Sequence, residues 1–293
     1  MKAKFKFGIF DIFGIFIMFF ICVVMLYPFY YMFIYSISDP LEAARGVFLL
    51  PRGITSVNYV MVLRNSAIYQ GLLVSISRTV IGTAITVFCS SAFAYLLTKE
   101  ELPYRRFFYR MLVVTMYVSG GLIPWFLTMV AYGLQNNFLL YVIPTAVGAF
   151  NVVLIRTYIM EAIPKSLEES AVIDGAGIVT VFLKIILPLT LPVLAAVAVF
   201  AAVGQWNSWT DNLFLVSDPR LKTLQLILYE TLIRSVPKPT DTTRTIMETF
   251  TTRPTNTSIR MTVSIVTILP IFLVYPLLQR YFIKGLMIGA IKG

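Results

Sequence analysis

Residues 111–155 read MLVVTMYVSGGLIPWFLTMVAYGLQNNFLLYVIPTAVGAFNVVLI, 45 consecutive positions without Asp, Glu, Lys or Arg. A helix needs about 20 apolar residues to cross the hydrocarbon core of a bilayer, so a run of this length holds two crossings. Gln135, Asn136 and Asn137 interrupt it, and a polar turn there places spans at 111–131 and 138–157. The rest of the chain has the same character. Of its 293 residues 58% are hydrophobic, 14% aromatic and only 13% charged, against about 25% charged in a soluble domain. Lipid is the expected solvent for much of it.

Further charge-free windows lie on either side of this run. Ile12–Ser38 follows Lys2, Lys4 and Lys6, and Thr79–Thr98 lies between Arg78 and Lys99. Ile185–Thr210 and Met261–Gln279 complete the set. The first window is longer than the apolar core of a signal peptide and lacks a small-residue cleavage site, so it reads as a retained span. The expectation is an all-α membrane protein, residues 1–293 forming one transmembrane domain. Its six spans are near 12–36, 79–98, 111–131, 138–157, 185–206 and 261–279. Lys99, Arg105, Arg106 and Arg110 crowd one short loop while the turn at 132–137 carries no basic residue. With Lys2, Lys4 and Lys6 at one end and Arg280, Lys284 and Lys292 at the other, both termini fall in the cytoplasm. The segment 211–260 is then external despite its seven basic residues, which is tolerable because long loops weigh little in this rule.

Composition also narrows the function. The net charge of +10 belongs to residues flanking apolar runs, not to a basic face, so no nucleic-acid partner is expected. Without a single histidine the chain lacks the commonest metal ligand and the usual general base near neutral pH, so neither a metal site nor a catalytic constellation is expected. Cys22 and Cys89 sit in apolar runs as packing residues. No ionisable residue falls in the middle of an assigned span, which counts against the alternative reading, an ion-coupled secondary transporter.

The largest cytoplasmic loop, 158–184, carries the functional signal. Ser166 with Glu169 three residues on reads as a capping box, Pro164 stands just ahead, and Gly175 is placed to end the helix. A helix of about two turns is unstable alone in water, so this one must pack against something. Small Ser170 and Ala171 permit close approach, and Glu168, Glu169 and Asp174 offer carboxylates to a partner.

Glu169, Ser170, Ala171, three residues, Gly175, nine residues, then Ile185, Ile186, Leu187 and Pro188 resemble the EAA loop of binding-protein-dependent ABC permeases. Ser170 in place of the middle alanine is the one departure. Ser91-Ala92-Phe93-Ala94-Tyr95, Gly121-Leu122-Ile123-Pro124, Gly204 with Trp206-Asn207, and the ending Tyr281 to Gly293 are similar to the carbohydrate-uptake branch. Within it, the resemblance is to importers of oligosaccharides and acidic-polysaccharide fragments. This implies a type I ABC importer permease in a bacterial inner or plasma membrane. The short helix would be a coupling helix, with Ser166, Leu167, Glu168, Glu169, Ala171, Asp174, Gly175 and Pro188 serving contact with the ATPase. The implied partners are two ATP-binding subunits, a second homologous permease forming a heterodimer, and an extracytoplasmic solute-binding protein. ATP and Mg would be bound by the ATPase, and this chain needs no cofactor. Consistent with that, no G-x-x-x-x-G-K-[ST] phosphate loop occurs.

Candidates for a solute path are Trp206, Asn207, Trp209 and Asp211. They lie about 21 residues or more beyond Ile185, roughly 32 Å along a helix and thus at the outer face. Rings beside amide and carboxylate groups suit a sugar, although tryptophans at that depth also anchor to the interface. Asn137, next to Asn136, is a further candidate whose competing reading is a turn. Arg78, at the outer end of its span, is expected to snorkel to the headgroups.

Overall fold

The computed structural model describes residues 8–233 and 254–290, with side chains 9, 275 and 277–290 undescribed. Lys2, Lys4, Lys6 and Lys292, on which the orientation argument leans, lie outside the described residues. Regular structure among the described residues is helical, apart from one isolated bridge between Ser38 and Ile54. The chain divides into two compact units, 1–66 with 230–268 and 67–229 with 269–293.

In the first unit, α1 (Ile9–Ile37) contains Pro28 and stays exposed along most of its length. A 29-residue helix is about 44 Å long, more than a bilayer core, and its bare apolar surface is what a lipid-facing span requires. Only its end is buried, where Ile34 and Tyr35 join Ala43 and Val47 in a small core with Tyr31 and Met261. Asp39 caps α2 (Pro40–Ala44) by accepting from the Leu41 and Glu42 amides. Buried Asn58 in α3 (Val57–Leu63) donates to the carbonyls of Ser36 and Ser38, satisfying backbone that α1 leaves open.

The second unit is built on α4 (Ser66–Leu96), an unbroken 31-residue helix. Arg78 is its thirteenth residue, so the helix begins well before the expected span boundary at 79. Then come α5 (Arg105–Tyr117) and α6 (Leu122–Ala131). The expected span 111–131 is thus broken at 118–121, where Gly121 at φ +81° takes a conformation that side chains rarely adopt. The expected span 138–157 is also broken. It opens with a 3-10 turn at Phe138–Tyr141 and continues irregularly past Pro144 until α7 (Ala149–Ala162) begins. Proline lacks the amide that a helix interior needs.

Next are α8 (Lys165–Ile173), α9 (Ile178–Leu189, with a π turn at Phe182–Ile186) and α10 (Leu191–Asn207), the last two bent by 81°. Pro188 and Pro192 flank the bend. Buried Thr190 caps it by returning its hydroxyl to the carbonyls of Ile186 and Leu187. Among the described residues the α-helices that follow are α11 (Thr210–Leu215), α12 (Leu224–Ile233) and α13 (Asn256–Ala290).

Among the described residues, Phe10–Ile37, Ser66–Leu96 and Asn256–Val274 are each long and apolar enough to cross a membrane, and the bent α9–α10 pair makes a fourth candidate. A core of Tyr95, Leu112, Val152, Ile155, Phe182, Ile186, Val193 and Val197 ties α4, α5, α7, α9 and α10 together.

Candidate functional site

The sequence places α8 nearly where it is found, but its start differs. Pro164 occupies the N-cap and no side chain caps the helix, so the expected box between Ser166 and Glu169 does not form. Pro164 removes one amide at the helix start, and the first turn begins at Lys165, one residue ahead of the expected cap.

The C-terminus closes with a Schellman motif. Gly175 at φ +83° donates to the Val172 carbonyl and Ala176 donates to that of Ala171. Nothing lies within 4 Å of where a Gly175 side chain would begin, so the glycine is required by the backbone angle and not by crowding. Pro188, the last residue of the loop motif, is exposed in α9 just ahead of the bend.

Two faces of α8 do different things. Ala171, with Ile163 and Ala176 on either side of the helix, packs against the Tyr95 core. Glu168 turns toward this core too. It accepts from Tyr95 Oη at 3.1 Å and forms an ion pair with Lys99. The Lys99 ammonium lies 4.1 Å from the centre of the Tyr95 ring. Lys165 reaches Glu100 at 3.1 Å, and that contact holds the Glu100 carboxyl below its ordinary value. Tyr95, Lys99 and Glu100 were not singled out from sequence as partners of this helix. The opposite face leaves Leu167, Val172 and Ile173 exposed beside Ser166, Glu169, Ser170 and Asp174. An exposed apolar strip with carboxylates at its edge suits a protein partner.

The second constellation corrects the reading of Arg78. It does not snorkel, being 1% exposed. Its Nη2 donates to Asp211 Oδ2 at 2.5 Å, its Nη1 to Asp211 Oδ1 at 3.1 Å and to the Ser208 carbonyl at 3.2 Å, and its Nε to Gln205 Oε1 at 2.9 Å. The Tyr141 ring lies 4.6 Å from the guanidinium carbon. An ionisable residue therefore does sit inside α4, which removes the premise that every span interior is free of charge. It is neutralised where it stands.

Gln205 extends the network by donating to Thr145 Oγ1 at 2.7 Å. Gly82 leaves the room this takes, since a Cβ there would lie 2.5 Å from Gln205 Nε2. One to two turns further along α4, Thr86 donates to the Thr145 carbonyl and Ser90 accepts from the Gly148 amide. This small and polar stripe satisfies the irregular backbone around 141–148, the condition for such backbone at membrane depth.

Of the expected path residues only Asp211 lines the cavity, of about 490 Å³, beside this network. Trp206 is buried with its indole nitrogen unpartnered, neither an interfacial anchor nor part of the cavity wall. Asn207 accepts from Gln225, and Trp209 stacks on Tyr229 with centroids 4.1 Å apart. Asn137 caps the 3-10 turn by accepting from the Leu139 amide. Asn136, at φ +51°, accepts from the amides of Ser217 and Asp218 and clips that loop in place. Cys22 is exposed on α1 instead of serving as internal packing.

Residues 88–288 match the family described as the inner membrane component of binding-protein-dependent transport systems. The chain is 36% identical over 284 residues to the polygalacturonan/rhamnogalacturonan transport system permease protein of Bacillus subtilis, covering 96% of this chain and 97% of that one. It is 27% identical to the arabinooligosaccharides transport system permease protein of Halalkalibacterium halodurans, covering 94% of both. A chain of the crystal structure of a bacterial ABC transporter that imports the acidic polysaccharide alginate superposes with a TM-score of 0.86 at 30% identity, covering 95% of this chain and all of that one.

Proposed function

Since this chain belongs to the inner membrane component family of binding-protein-dependent transport systems, we propose that it is a permease subunit of an ATP-driven bacterial importer carrying a sugar or oligosaccharide. The observation that carries the reading is α8, a short helix whose inner face is fixed to the core and whose outer face is bare. In this reading Leu167, Val172 and Ile173 enter a groove of an ATP-binding subunit, and Ser166, Glu169, Ser170 and Asp174 border that contact. ATP and Mg belong to the partner, of which two copies act, so this chain is not itself an enzyme. A second, homologous permease completes the path and an extracytoplasmic solute-binding protein delivers the solute.

Six crossings follow if α1, α4, the α5–α6 pair, the 138–162 segment, the bent α9–α10 pair and α13 each count as one. An even number puts both termini on one side, which the basic residues of the short loops make the cytoplasm, and α8 then lies on that side too. The carbohydrate assignment draws support from the relatives, described as transporting polygalacturonan and rhamnogalacturonan in one case and arabinooligosaccharides in the other.

The test uses the assembled complex. Gly175→Leu and Glu169→Lys should each abolish solute-stimulated ATP hydrolysis while leaving membrane insertion intact. Unchanged coupling in both variants rules the docking assignment out. Uptake that persists without the ATPase and collapses with an uncoupler would favour ion-coupled transport instead.

A further inference from the structure

Two cavities meet at Trp125 and Thr210. One, of about 490 Å³, reaches Thr145, Asn151, Gln205 and Asp211; the other, of about 650 Å³, opens past Gly120, Gly121, Thr128 and Phe214. Each falls within the ~300–1,000 Å³ of small-molecule sites, and Trp125 and Thr210 stand in the wall of both.

The side chains available in these cavities are specific. The Trp125 indole N–H, the Asn151 amide and the Thr210 hydroxyl make no side-chain hydrogen bond within the described residues, whereas Gln205 and Thr145 are committed to each other. Gly148 lets the Asn151 amide lie against its backbone, since a Cβ there would meet Asn151 Nδ2 at 2.6 Å. Trp125 combines a large apolar face with a donor at its edge, the combination that a sugar ring with one C–H face and a rim of hydroxyls requires.

Charge decides the rest. Arg78 and Asp211 are the charged residues among those lining the two cavities. Four N–H···O bonds occupy the guanidinium and both Asp211 oxygens are engaged by it. An anionic solute gains no free counterion here and would have to displace Asp211 to obtain one.

We propose that the groove through Trp125 is a sugar-binding track that recognises the ring face and hydroxyls of a pyranose unit and is indifferent to solute charge. Trp125 is the stacking platform, and Asn151 and Thr210 are the hydrogen-bonding partners. The inference rests on reading the chain as a sugar importer subunit, and it assigns any carboxylate on the solute to residues of other subunits.

The experiment reconstitutes the full complex in proteoliposomes and offers a pool of galacturonate, rhamnose–galacturonate and arabinose oligomers, with accumulated species resolved by mass spectrometry. Losing one aromatic platform is worth about tenfold. Every oligomer that the wild type accumulates should therefore fall by about that factor in Trp125→Ala and recover to within about threefold in Trp125→Phe. Assembly is checked by co-purification of the ATPase. If Trp125→Ala fails to assemble, Asn151→Ala takes its place, with a loss of about fivefold expected from one hydrogen bond. The neutral double variant R78Q/D211N should leave the ratio of uronate to neutral oligomers unchanged. Wild-type accumulation in an assembled Trp125→Ala or Asn151→Ala overturns the track, and selective loss of uronates in R78Q/D211N overturns its indifference to charge. A wild-type complex that accumulates none of the pool refutes the sugar-importer reading itself.

Discussion

Replacing Asp211 with alanine leaves the Arg78 guanidinium charged, buried and stripped of the two carboxylate contacts at 2.5 and 3.1 Å. The side chains are 2% and 11% exposed, so water cannot take the place of the carboxylate without local opening. Removing one member of such a pair costs about 3–5 kcal/mol. In a chain of this size ~2 °C of midpoint accompanies each kcal/mol, a drop of roughly 6–10 °C. The double variant R78Q/D211N removes both charges and leaves only orphaned dipoles such as Gln205 Oε1, at a cost of about 1–3 kcal/mol. It should therefore be more stable than Asp211→Ala alone, which ordinary additivity does not allow. Thermal unfolding of the detergent-solubilised permease, followed by Cys89 accessibility or circular dichroism, measures both variants. A drop below about 2 °C for Asp211→Ala, or a double variant at least as damaged as the single, would refute the claim that the charge is buried and internally balanced.

Gly82→Leu forces Gln205 off Arg78 and Thr145, because even its Cβ would sit 2.5 Å from Gln205 Nε2. It should cost about 1–3 kcal/mol by overpacking, read in the same melt, with Gly82→Ala milder. Glu168→Lys sets two ammonium groups beside each other where Lys99 and Glu168 now pair. It should lower solute-stimulated ATP turnover severalfold, and the reversed pair Lys99→Glu with Glu168→Lys should restore part of it. Asn136→Ala removes the acceptor of two backbone amides and should raise hydrogen exchange across 215–219, while solute uptake by the reconstituted complex changes little.

Long stretches of this architecture were legible because lipid imposes a simple rule, in which charge-free runs near 20 residues become helices. The same rule misled at Arg78. In sequence a charge reads as the end of a span, but the counterion of Arg78 comes from Asp211, 133 residues further along, and no local pattern announces such a pair. The run 111–155 is too long for one helix, and the chain divides it. Its break at Gly120-Gly121 leaves no mark in composition, which remains apolar there while Gly121 takes a positive φ; Pro144 in the second span does signal a break, though not its extent.

In the loop, Gly175 was readable as a helix end since a positive φ is a property that glycine declares in sequence. The start was misread because a box needs its cap residue outside the helix, and Pro164 moved the first turn upstream. Trp125 sat one residue beyond the quoted Gly121–Pro124 stretch. It went unnoticed because a tryptophan in an apolar run looks the same whether it faces lipid or a cavity.

The uninterrupted course of α4 has a mechanical meaning. It contains no proline, and sharp kinks in helices arise mainly at proline, glycine pairs or π bulges. From Arg78 at the cavity wall to Tyr95 against α8 is 17 residues, ~26 Å of stiff rod. A tilt of about 10° pivoting at the Arg78 end would sweep the Tyr95 end through roughly 4–5 Å, close to one helical turn. In the reading proposed above, α8 bears on one end of this rod through Glu168 and the cavity wall stands at the other, so a tilt of the rod would link the two.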